Sequence, residues 1–86
     1  GIPVIGKGMT MFKEHDRAVL LVDVADAHLL RGDVGTIVHV YANSAAYEVE
    51  FVTLDGTTAA VVTLAADQVR PVRAREVTHA RELAGV

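Results

Sequence analysis

The stretch Ala46-Tyr47-Glu48-Val49-Glu50-Phe51-Val52-Thr53, followed by Leu54-Asp55-Gly56-Thr57 and Thr58-Ala59-Ala60-Val61-Val62-Thr63-Leu64, decides the fold class. Tyr47, Val49 and Phe51 alternate with Glu48, Glu50 and Val52, the period of two by which a strand buries one face and turns the other to water. One face is apolar and the other acidic. Asp55-Gly56 between two strand patterns is the strongest short-range hairpin signal, because both residues accept the backbone angles of a tight turn.

Working outward, each neighbouring segment reads as a further short strand. Thr36–Tyr41 is the strand before, joined through Ala42-Asn43-Ser44-Ala45, where Asn43 tolerates left-handed geometry. Gly32-Asp33-Val34-Gly35 is a turn whose glycines supply unusual backbone angles, with Val34 pointing inward. Arg17–Val24 is the first strand, with Ala18, Leu20, Val22 and Val24 on the core face and Val19, Leu21 and Asp23 on the other. Leu29 and Leu30, in the break Ala25–Arg31, are expected to plug one end of the fold. On the C-terminal side, Ala65-Ala66-Asp67-Gln68 suits one turn of 3₁₀ helix, and Val69–Val72 a fifth strand that Pro71 confines to an edge or end. Arg73–Leu83 favours a short helix, with Val77, Ala80 and Ala84 along one side, stable only if it docks. An all-β chain of five strands, with a 3₁₀ turn before the last and a C-terminal helix, describes a small Src-homology-3-like barrel. Closure would protect the edges of so small a sheet. The rival is an open four- or five-stranded meander paired across a dimer.

Length and composition bound the rest. Eighty-six residues make one domain, with residues 11–72 as the barrel and 73–86 as the helical tail. Residues 1–10, with three Gly and a Pro, read as an expression-vector remnant. The chain is 51% hydrophobic, but 13 Ala and 15 Val supply most of that, beside two Phe, two Tyr and no Trp. A domain this small leaves part of its apolar surface accessible, which predicts self-association as a homodimer. The net charge of −3 opposes nucleic acid as a partner. The absence of Cys suits a reducing, cytoplasmic setting, and no apolar run reaches membrane-spanning length.

The run Met11–Arg17, then Gly32–Tyr41, Tyr47–Phe51 and Val69–Val72 together resemble a family of small bacterial proteins catalogued as domain of unknown function 4926. The resemblance covers about Met11–Val72 and implies a Src-homology-3-like barrel with no established activity. Some members sit beside toxin-like genes, so it also implies an antitoxin- or immunity-like role in binding a neighbouring-gene product. Gly32–Ile37 is similar as well to the turn of Kyrpides–Ouzounis–Woese barrels, which implies nucleic-acid association as the alternative. Against that, Arg31 is the one cation in Ala25–Tyr47.

Residues that could carry chemistry are dispersed. His15, His28, His39 and His79 lack metal-ligand spacing, and Ser44, the single serine, lacks a nucleophile elbow. His39, in mid-strand, is expected at the core edge, bonded to a backbone carbonyl. Gly6-Lys7-Gly8 lacks the spacing of a phosphate loop. With Tyr47 and Phe51 committed to the core, too few rings remain for proline-rich, methyl-lysine or stacked-base ligands. No catalytic residue, cofactor or metal is therefore predicted, and the chain is read as a non-catalytic protein-interaction module. The candidate partner-binding residues are Glu48, Glu50 and Asp23 with the outer apolar positions Val19, Leu21 and Val52. The nucleic-acid alternative would use Arg31, Arg70, Arg73 and Arg75.

Overall fold

A computed structural model describes residues 12–84, and the segment read as a vector remnant lies outside them. Five strands form: β1 (Arg17–Leu20), β2 (Val34–Val40), β3 (Ala46–Val52), β4 (Thr58–Ala65) and β5 (Val69–Pro71). They make one antiparallel sheet in the order β4-β3-β2-β1-β5. The β3–β4 hairpin is the longest ladder, running from Ala46 opposite Ala65 to Val52 opposite Thr58. Its turn is held by Asp55, whose carboxylate accepts from the Thr53 hydroxyl at 2.5 Å and the Thr57 N–H at 3.1 Å. Gly56 supplies the positive φ of +92° that this turn requires.

The barrel expected from the sequence is not formed. Strands β4 and β5 are the two sheet edges, and no ladder joins them. The sheet is nonetheless strongly curled. A flat five-stranded sheet would separate its outer strands by about 19 Å, whereas the link from Ala65 to Val69 can span at most about 14 Å. That link is the expected 3₁₀ turn, Ala66–Gln68. Curling wraps the concave face around Phe12, Ala18, Leu20, Leu29, Ile37, Tyr47, Val49, Phe51, Leu64 and Val69, all buried. Phe12 closes one side of this core edge-on to Tyr47, with ring centroids 5.1 Å apart.

Gly35 permits the curl. A Cβ there would lie 2.6 Å from Val49 Cγ1, 2.9 Å from the Glu50 carbonyl oxygen and 2.9 Å from Phe51 Cε2. Its role is close approach rather than an unusual backbone angle, which belongs to Gly32 at φ +96°. Val34 between them faces outward, not inward, and Leu30 is exposed while Leu29 alone of that pair enters the core.

Two further expectations are corrected. The first strand stops at Leu20 rather than Val24: the Leu21 N–H to the Gln68 carbonyl is the last bond of the β1–β5 register, and beyond it the chain turns into a loop in which Val24 bridges Leu29. Val22 is left exposed as a result. The C-terminal helix is absent: beyond a turn at Arg73–Glu76, residues 77–84 run without regular structure. A segment this short cannot repay helix nucleation alone, and its side chains have other partners. Arg70 Nη1 and Nη2 bond the Glu76 carboxylate at 3.0 and 2.6 Å. Arg81 forks onto Asp33, Nε to Oδ1 at 2.9 Å and Nη2 to Oδ2 at 2.5 Å. The tail is thus a strap, tied at one end to β5 and at the other to the turn before β2. No helix among the described residues is long and apolar enough to cross a membrane.

Candidate functional site

The convex face of β2, β3 and β4 carries the acidic stripe. Alternation in β3 buries Tyr47, Val49 and Phe51 and leaves Glu48, Glu50 and Val52 outward. Register then sets Glu48 between His39 of β2 and Thr63 of β4, and Glu50 between Thr36 and Val61. Glu48 accepts from the Thr63 hydroxyl at 2.6 Å and the Tyr41 hydroxyl at 3.0 Å. Glu50 accepts from the Thr58 hydroxyl at 2.6 Å. Hydroxyl donors fix a carboxylate in position without cancelling its charge. The Thr63 bond, then the Tyr41 bond, hold the Glu48 carboxyl below its usual pKa against a desolvation penalty, with His39 adding attraction. The same contact raises the Tyr41 phenol. No Lys or Arg pairs with Glu48 or Glu50 among the described residues.

His39 reaches this face through a β-bulge. The ladder steps from Ile37–Val49 to His39–Glu48, so Val38 is an extra residue and both Val38 and His39 are exposed. The expectation of a core-edge histidine is therefore corrected. Its ring meets Tyr41 edge-on, centroids 4.6 Å apart. Strict alternation in the sequence gives no sign of the bulge.

The other candidates are placed unequally. Val52 is 43% exposed at the hairpin end of the convex face. Val19 is on the convex side but buried at 5%, in register between Val34 and Arg70, so it is no accessible contact. Leu21 is half-buried beyond the end of β1. Asp23 belongs to the loop, where Oδ1 accepts the Arg31 N–H at 2.8 Å. The basic candidates do not form one patch. Arg31 precedes the Asp33 turn beside Leu20, whereas Arg73 and Arg75 follow the Pro71 end of β5, which pairs near the start of β1. Arg70 is engaged by Glu76, which is pulled from its ordinary 4.5 to about 2 by the Arg70 bonds and the Arg73 N–H.

The strap creates a feature that the expected helix concealed. An open cleft of ≈ 710 Å³ lies between strap residues such as Val77 and Leu83 on one side and Val34, Val52 and the hairpin-turn residue Leu54 on the other. Burial disfavours the Asp33 charge at the strap's anchor. The Arg81 bonds, the Leu30 N–H and the Arg81 charge outweigh that penalty, so its pKa stays below 3.8. Of the four rings only Tyr41 is exposed, since Phe12 is buried too. No group of three His, Asp or Glu side chains among the described residues is arranged to hold a metal ion.

A family model described as Domain of unknown function (DUF4926) matches residues 14–71, more than half of the 86-residue chain. The match ends at Pro71, so it contains all five strands and leaves out the strap. Comparison with curated proteins and with solved structures found no match.

Proposed function

Given that the chain belongs to the DUF4926 family, we propose that it is a non-catalytic protein-interaction module whose convex acidic face takes a basic partner. Glu48 and Glu50 carry this reading: hydroxyls hold both carboxylates in place, and no Lys or Arg pairs with them among the described residues. Fixed charges of one sign raise the encounter rate with a complementary surface. Exposed Val52 and Val34 beside them offer apolar contact once the encounter is made. The partner is a toxin-like product of a neighbouring gene, and the setting is the cytoplasm. Strand order and the 3₁₀ turn before β5 support a Src-homology-3-like connectivity in an open, curled form.

The test is calorimetric titration of the chain with the purified product of the adjacent gene. Binding that weakens at least tenfold in a Glu48→Gln, Glu50→Gln double variant is expected. Absence of binding, or equal binding by the variant, overturns the proposal. Nucleic-acid association is less well supported, because Arg70 is ion-paired and Arg31 stands at the other end of β1 from Arg73 and Arg75. Salt-sensitive binding to an RNA homopolymer, lost on changing Arg73 and Arg75, would decide for it instead.

A further inference from the structure

The two edges of the sheet are treated very differently. Strand β5 is three residues long, ends in Pro71 and has Arg70 tied down by Glu76. Strand β4 is eight residues long, Thr-Ala-Ala-Val-Val-Thr-Leu-Ala, with no charge and no proline. Soluble proteins guard open edges with short strands, charges or proline, because unpaired N–H and C=O groups recruit another strand. Among the described residues one edge is guarded and the other is not.

Backbone phase shows which β4 groups are free. The Tyr41 N–H bonds the Ala46 carbonyl and the Ala66 N–H bonds the Ala45 carbonyl. Ala46, Glu48 and Glu50 therefore turn their backbone groups toward β2, and Tyr47, Val49 and Phe51 toward β4. Their partners Leu64, Val62 and Ala60 point back to β3. Val61, Thr63 and Ala65 consequently present N–H and C=O to the open edge. The Ala65 N–H is already capped by Gln68 Oε1 at 2.8 Å. Val61 and Thr63 remain, with no edge-side backbone partner among the described residues.

We propose that a second copy of this chain pairs antiparallel with β4 about a two-fold axis at Val62. That axis sets Val61 opposite Thr63 of the other copy, and Thr63 opposite its Val61. The two free residues of each edge then satisfy each other, through roughly four backbone hydrogen bonds. An axis at Val62 also keeps the convex faces of both copies on one side, because opposed residues share a face. Electrostatics do not oppose it: across the junction Glu48 faces Glu50 of the other copy three strand spacings away, about 14 Å, beyond the screening length of about 10 Å at 0.1 M salt. The acidic stripes become one continuous face. The occupied surface is the β4 edge rather than the Glu48–Glu50–Val52 face, so the pairing stands or falls independently of the partner proposed above.

Analytical ultracentrifugation with a single-cysteine series tests it, helped by the absence of cysteine from the chain. A dimer at roughly 100 µM is expected. Val61→Pro removes one of the outward N–H groups the pairing uses, at an edge position where the monomer loses no ladder bond, and should weaken dimerisation at least tenfold while circular dichroism stays unchanged. Val62→Cys should crosslink two copies, because opposed Cα atoms at a non-hydrogen-bonded site lie about 4.5 Å apart, within disulfide reach. Leu54→Cys, exposed at the hairpin tip, should not. A monomer at that concentration, a dimer indifferent to Val61→Pro, or crosslinking at Leu54→Cys rather than Val62→Cys would overturn the proposal.

Discussion

Substituting Gly35 by Ala adds one methyl group where β2 lies against Val49, Glu50 and Phe51 of β3. The new Cβ would meet Val49 Cγ1 at 2.6 Å, the Glu50 carbonyl oxygen at 2.9 Å and Phe51 Cε2 at 2.9 Å. None of the three can yield freely. Val49 and Phe51 are buried at 0% and 3%, and the Glu50 oxygen belongs to the backbone of a central strand. Overpacking a well-packed site costs about 1–3 kcal/mol. With three contacts inside 3 Å, one of them backbone, the upper end applies, about 3 kcal/mol. For a domain of this size each kcal/mol lowers the thermal midpoint by about 4–8 °C, so a fall of about 12–24 °C is expected. Urea and thermal unfolding followed by circular dichroism measure it. Gly32→Ala, where a Cβ would meet nothing within 4 Å but φ is +96°, serves as the comparison. It should lose less, about 1 kcal/mol of backbone strain. A Gly35→Ala protein within 0.5 kcal/mol of the parent would refute the close-approach reasoning.

Two predictions concern the strap. Arg81→Ala removes the fork onto Asp33 and should lower global stability by no more than about 1 kcal/mol, as for other partly exposed ion pairs. It should nonetheless free the tail, so tryptic cleavage after Arg75, followed by mass spectrometry, should accelerate several-fold; an unchanged rate would show that Arg81 does not hold the strap. Acid should also release it. The Glu76 carboxyl is held at about 2 against an ordinary 4.5, so its contribution is complete above about pH 4.5 and is lost as the pH falls toward 2, with the lowered Asp33 acting in the same direction. A carboxyl titration by nuclear magnetic resonance should find the Glu76 midpoint near 2, and a midpoint near 4.5 would contradict the Arg70 pairing.

The hairpin of β3 and β4 was legible because two independent signals agreed, alternation of Tyr47, Val49 and Phe51 with the glutamates and the Asp55-Gly56 turn. The 3₁₀ turn before β5 was legible from Ala65-Ala66-Asp67-Gln68, and the structure adds that Gln68 caps the Ala65 N–H. Where one signal stood alone it misled. Alternation through Val22 and Val24 could not show that β1 ends at Leu20, since the chain there turns into the loop that pairs Val24 with Leu29. Helical spacing of Val77, Ala80 and Ala84 ignored the pull of Arg70 on Glu76 and of Asp33 on Arg81. Closure of the barrel depended on whether β4 and β5 meet, a tertiary fact that strand count does not contain. Among the candidate contacts, Glu48, Glu50 and Val52 share the convex face as alternation implied. Val19 failed because burial on that face depends on its neighbours in adjacent strands, and Asp23 because its strand had already ended.

On the proposed function, Glu48 and Glu50 form a fixed anionic face, paired with no Lys or Arg among the described residues, that meets a basic protein partner. Stopped-flow association with the adjacent gene's product tests it most directly, with salt raised from about 0.01 M to 1 M so that the screening length falls from about 30 Å to 3 Å. The parent chain should lose at least tenfold in association rate over that range, and the Glu48→Gln, Glu50→Gln variant should start slow and stay nearly flat. Equal salt dependence in the two proteins would contradict it.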